Sequence, residues 1–106
     1  MPKEIRSLLD KLKSGLKQMY GKQFREAYLF GSYARGDYDP DSDIDVLIVL
    51  SDFEKYGAEL NRTSELIGDL SLEYGITVSV VFTRQSEWQS DKLPFLLNIH
   101  AEGVAL

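Results

Sequence analysis

Two short pieces of the chain, Gly31-Ser32 and Asp43-Ile44-Asp45, carry the residue types from which a phosphate and cation site is built. Glycine lets backbone N–H groups approach a phosphate closely, and a serine hydroxyl adds a donor. A Gly-Ser pair alone marks many ordinary turns. The second piece adds weight: Asp43 and Asp45 stand one residue apart at the head of an apolar run, so strand alternation puts both carboxylates on one face. Paired carboxylates repel and are costly to hold together unless a cation lies between them. A charged strand start in solvent is the plain alternative, weakened by the continuation Val46-Leu47-Ile48-Val49-Leu50, which reads as buried on both sides. Arg35, one helical turn past Ser32, is placed to reach phosphate; a surface helix charge is an equal reading.

Two rival motifs fail on their own residues. Gly31 and Gly36 have the spacing of the two P-loop glycines, but Asp37-Tyr38 follow where lysine and serine or threonine are required. The acids at Asp37, Asp39, Asp41, Asp43 and Asp45 alternate like an EF-hand loop. A loop opening at Asp37, however, puts Ser42 where glycine is needed and Ile48 where the bidentate glutamate belongs.

The elements that must position these residues follow from periodicity. Ile5, Leu8, Leu9, Leu12, Leu16 and Met19 recur at helical spacing, which predicts an amphipathic helix over residues 4–20 ended by Gly21. Ala27 to Phe30 reads as a strand entering Gly31, Ser32 to Gly36 as one or two helical turns, and 37–42 as turn chemistry around Pro40. Asp43 to Leu50 is the second strand. Leu60, Thr63, Leu66, Ile67, Leu70 and Tyr74 predict a long helix over 56–74 with Gly75 as its stop, and Ile76 to Phe82 is the third strand. Pro94 opens a short helix through His100. This order predicts an α+β fold, a small mixed sheet with helices packed on it, as a single domain over 1–106.

Composition narrows the classes further. The chain of 106 residues has no cysteine, which removes thiolate zinc sites and cysteine nucleophiles and fits a reducing cytoplasm. Its net charge is −5, so direct binding of nucleic acid through a basic surface is not expected. Lys3, Arg6, Lys11, Lys13, Lys17, Lys22 and Arg25 crowd the first quarter and read as a solvated helix face rather than a binding patch. The start is too charged for a signal peptide, and no apolar run has the length of a membrane span. His100 reads as a packing or capping histidine. Trp88, Phe95 and Tyr56 read as packing residues, with cover for a nucleobase or a partner as the alternative.

The pattern Gly31-Ser32, ten residues, Asp43-x-Asp45, with Ala34-Arg35-Gly36 between, resembles the nucleotidyltransferases of the DNA polymerase β superfamily, within it the minimal nucleotidyltransferase (MNT) group. The lysine-rich first helix and the stretches Pro94-Phe95 and Glu102-Gly103-Val104 are similar to small members of that group. The resemblance implies the nucleotidyltransferase fold and a bound ATP or other NTP. It assigns Asp43 and Asp45 to magnesium (Mg2+) as the catalytic pair, and Gly31, Ser32 and Arg35 to the nucleotide. An acceptor hydroxyl would attack the α-phosphorus and expel pyrophosphate.

It further implies a toxin–antitoxin setting. There the chain transfers AMP to a tyrosine of a small helical HEPN-type partner, in the cytoplasm, as a homo- or hetero-oligomer. One position departs from the pattern. The superfamily commonly carries a third carboxylate on the next core strand, where this chain has Ser79, and no acid lies between Gly75 and Glu87. Glu73 or Glu87 would have to reach in from outside that strand. The alternative reading is therefore a catalytically impaired binding module that neutralises its partner by complex formation.

Overall fold

The computed structural model describes residues 1–90 and 92–106. Its first helix, α1 (Lys3–Tyr20), buries Ile5, Leu8, Leu9, Leu12, Leu16 and Tyr20 along one stripe. Tyr20, not Met19, closes that stripe, and Met19 stays exposed. The reason is polar: the Tyr20 hydroxyl donates to the buried Glu59 carboxylate at 2.8 Å, which draws the ring inward. Gly21, at φ +56°, stops the helix.

After a single 3-10 turn the chain enters β1 (Phe24–Phe30), then the one-turn helix α2 (Ser32–Arg35) and β2 (Ile44–Leu50). A long helix, α3 (Tyr56–Tyr74), crosses to β3 (Val78–Arg84), followed by α4 (Gln85–Ser90), α5 (Pro94–Glu102) and β4 (Val104–Ala105). The sequence reading missed α4 and β4, started β1 three residues late and placed β3 two residues early. Leu60, assigned to the apolar stripe of α3, is exposed, whereas Thr63 is fully buried and bonds the Glu59 carbonyl at 2.9 Å.

The sheet has the order β3-β2-β1-β4. β1 runs antiparallel to both β2 and β4, and β2 runs parallel to β3. Alternation splits the strand side chains between two layers. Ile44, Val46, Ile48 and Leu50 share one core with α1 and with Leu70 of α3. Leu47 and Val49 share the other with Trp88 of α4 and with Leu96 and Ile99 of α5. β2 is thus covered on both faces, as its unbroken apolar run requires.

The outer edge of β3 is blunted rather than open. The Val78 amide donates to Ser71 Oγ at 3.1 Å and the Phe82 amide to Tyr56 Oη at 3.2 Å. Both acceptors come from α3, which occupies two of the outward donors that another strand would use. His100 packs as expected, stacked on Trp88 at 3.5 Å with Nε2 against the Trp88 carbonyl oxygen at 2.8 Å. Among the described residues no helix is long and apolar enough to cross a membrane.

The Tyr20–Glu59 bond ties the end of α1 to the first turn of α3. Tyr20→Phe leaves a buried carboxylate with only Arg62, at 3.7 Å, as partner. The expected loss of unfolding free energy is about 1–3 kcal/mol by urea denaturation. A loss below about 0.5 kcal/mol would show that water already serves Glu59.

Candidate active site

Strand directions bring the chemistry to one end of the sheet. Because β1 is antiparallel to β2, the end of β1 meets the head of β2, and the heads of β3 and β4 lie at the same end. Gly31, the turn out of β1, therefore faces Asp45. The register is explicit: Asp45 pairs with Phe30 on one side and Ser79 on the other. One row across the sheet reads Ser79, Asp45, Phe30.

Gly31 is the residue this geometry constrains most tightly. Its φ is +76°, and a Cβ built there would collide with the Asp45 carboxylate. A side chain is excluded twice over, by backbone conformation and by space. From this turn α2 departs, with the Ala34 and Arg35 amides bonded to the Gly31 carbonyl. The leading amides of Ser32 and Tyr33 precede the first intrahelical donor, the Ala34 amide, and no side chain caps the helix. Ser32 is half-buried beside them.

Asp43 is exposed and lies just before β2, one residue outside the strand that the sequence reading began with it. Asp45 is half-buried. Burial first, and then the charge of Asp43, push the Asp45 carboxyl above its ordinary range, while Arg35 pulls it back. The two acids therefore feel one another, as their spacing required. Arg35 itself bridges two more carboxylates, Asp37 at 3.2 Å and Glu102 at 3.3 Å. Glu102 was not singled out as a site residue from sequence. It arrives here because α5 leads into β4, whose head lies beside the end of β1.

Tyr33 stacks on Tyr38 at 4.3 Å, which ties α2 to the loop leading to Asp43. Neither acid considered as a substitute for Ser79 stands in the Asp45 row. Glu73 is paired with Lys11 on the α1 side of the sheet. Glu87 is paired with Arg84 at 3.1 Å, at the far end of β3. Among the described residues no group of three or more acids and histidines is arranged to hold a metal. The donors present at Asp43 and Asp45 are carboxylate oxygens, and burial together with the neighbouring charge raises the Asp45 carboxyl above its ordinary range. That set suits a hard divalent cation whose remaining ligands are water and phosphate oxygens.

Residues 9–102 match the nucleotidyltransferase domain family. A candidate protein adenylyltransferase of Methanocaldococcus jannaschii is 32% identical over 99 residues, 88% of each chain. Protein adenylyltransferase MntA of Thermococcus cleftensis is 38% identical over 78 residues, 74% of this chain and 73% of that one. Among solved structures, a candidate nucleotidyltransferase from Sulfolobus solfataricus aligns with a TM-score of 0.63 at 26% identity, over 96% of this chain and 80% of that one. A toxin–antitoxin structure with AMP-PNP aligns with a TM-score of 0.66 at 23% identity, over 91% and 69%, a likeness of fold.

The raised Asp45 carboxyl gives a signed pH dependence. Its proton is held more tightly in the folded chain than in the unfolded one, so ionising it opposes folding, and stability falls as pH rises through the window above the ordinary aspartate range. In chelator, Asp45→Asn is expected to melt above the wild type at about pH 7, with the gain vanishing at about pH 3. A gain that persists at low pH would refute the electrostatic origin. Gly31→Ala tests the close approach. Its cost, about 1–3 kcal/mol from strain, should fall when Asp45→Ala removes the opposing carboxylate, as read from a double-mutant cycle of urea midpoints.

Proposed function

Because this chain belongs to the nucleotidyltransferase domain family, we propose that it transfers AMP from ATP to a tyrosine hydroxyl of a HEPN-type helical partner, acting as that partner's antitoxin. The observation that carries the reading is the juxtaposition of Gly31, Ser32 and Asp45 at one end of the sheet, with Asp43 within electrostatic range. Relatives named as protein adenylyltransferases and the likeness to a toxin–antitoxin structure with AMP-PNP support it.

In this reading the leading amides of α2 and the Ser32 hydroxyl hold the triphosphate tail. Arg35 turns from Glu102 and Asp37 to phosphate oxygens. Asp43 and Asp45 would hold magnesium, which would supply charge neutralisation to the reacting phosphate. The chain's own part is to orient the α-phosphorus and to fix the leaving group beside α2.

A second reading has its own support. Ser79 lies beside Asp45, where a third carboxylate would act, and a serine hydroxyl is no general base near neutral pH. With Glu73 and Glu87 tied elsewhere, the domain binds nucleotide and partner without efficient turnover unless the partner supplies the missing group.

Transfer is measured with labelled ATP, magnesium and the HEPN-type partner. The first reading expects label on the partner, lost in Asp45→Asn. The second expects a stable complex with little label, and a gain of transfer in Ser79→Asp. Ser32→Ala should weaken Mg-ATP by roughly tenfold, since a hydrogen bond to a charged group is worth about 1.5–3 kcal/mol. Unchanged calorimetric affinity would reduce Gly31-Ser32 to a turn.

A further inference from the structure

In-line displacement at phosphorus sets the entering oxygen opposite the departing pyrophosphate. On the transferase reading, on which this inference rests, the pyrophosphate lies against α2, at the end of β1. β1 flanks β2 on one side and β3 on the other. The acceptor therefore enters from the β3 side, across Ser79.

On that side the surface carries a groove of about 420 Å³ whose lining includes Tyr56, Val81, Thr83, Leu93 and Phe95. A shared strand face and one ring contact join it to the site. Val81 follows Ser79 on the same face of β3. Phe95 meets Phe30 edge-on at 5.7 Å, and Phe30 is the cross-strand neighbour of Asp45. Tyr56, Leu93 and Phe95 are exposed by 42%, 45% and 47%, an apolar grouping beyond what scattered surface residues make. The far rim is acidic: Glu54 lines it, and Arg84 is shared between Asp52 and Glu87.

We propose that this groove docks the acceptor, a polypeptide segment that carries apolar side chains next to a tyrosine and basic residues at its flanks. The acidic rim and the chain's net charge of −5 match such a segment. Capping of the β3 edge by Ser71 and Tyr56 means that side chains fill the groove, with no strand added to the sheet. The docked phenolic oxygen forms the bond to the α-phosphorus as the bond to pyrophosphate breaks, and the phenolic proton leaves to water at the groove mouth. The products are the AMP-tyrosine ester, pyrophosphate and a proton.

The probe is the blocked peptide Ac-Lys-Leu-Tyr-Leu-Lys-NH2, set against N-acetyltyrosinamide, which offers the same hydroxyl without neighbours. With Mg-ATP the wild type is expected to use the peptide at least tenfold better in kcat/KM. Leu93→Lys, which removes the apolar contact and repels the basic flanks, should raise the peptide KM about tenfold with kcat little changed, leaving Mg-ATP affinity and transfer to the small amide as in the wild type. Calorimetry with the Phe-for-Tyr peptide reads docking without transfer: binding is expected in the wild type and lost in Leu93→Lys. Equal use of peptide and amide, equal peptide binding by both proteins, or a dimer through this face that the peptide does not open would overturn the groove. Docked peptide that receives no label also overturns the acceptor role. Failure of the transferase reading is seen separately, as loss of Mg-ATP binding or of transfer to the small amide.

Discussion

The approach of the Asp45 carboxylate to the Cα of Gly31 is the constraint on which the site depends. It follows from the antiparallel register of β1 and β2, which sets Phe30 opposite Asp45 and leaves the next residue of β1 under the carboxylate. With no Cβ to accommodate and φ positive, the chain turns out of the sheet at once and begins α2. The Ser32 and Tyr33 amides then open toward the same end of the sheet as the acid. Any residue but glycine at position 31 would separate the two halves of the site.

That junction holds its place because the rest of β2 cannot move. Val46, Ile48 and Leu50 are locked against α1 and α3, while Leu47 and Val49 are locked against α4 and α5. A shift of β2 by one residue would send each of these side chains into the wrong layer, so the register is fixed by burial. Asp45 belongs to the second layer by alternation yet stands at its open end, which is why it is only half-buried and still raised by its surroundings. Ser79 inherits its position from the same register.

Much of this was legible in the sequence where the signal is local. The stripe in α1, the glycine stops at Gly21 and Gly75, the apolar run of β2 and the Gly-Ser and Asp-x-Asp pieces each need only neighbouring residues to be read. What escaped depends on distant pairing. β4 has two residues and exists because Leu29 and Tyr28 offer β1's second edge to it. The preference for Tyr20 over Met19 depends on Glu59, far along the chain, and Glu102 reaches Arg35 only through the β1–β4 pairing. Glu73 and Glu87 looked equally able to approach Ser79. Lys11 and Arg84, which hold them elsewhere, become their partners only in the folded chain.

On the proposed reading, the charge balance at this end of the sheet decides which ligands the site accepts. Asp37, Asp43, Asp45 and Glu102 are set against the guanidinium of Arg35, so this end of the sheet is acidic. A polyphosphate is itself an anion, and brought in alone it would meet repulsion that Arg35 cannot offset. A divalent cation between the carboxylates and the phosphates reverses the sign of that encounter, which makes the two ligands favour each other's binding. On that reading phosphate oxygens compete with Glu102 and Asp37 for Arg35, so the cation's attraction must also offset those two ion pairs. On the proposed reading a single helix borders both substrates, with Glu102 at its end and Phe95 near its start.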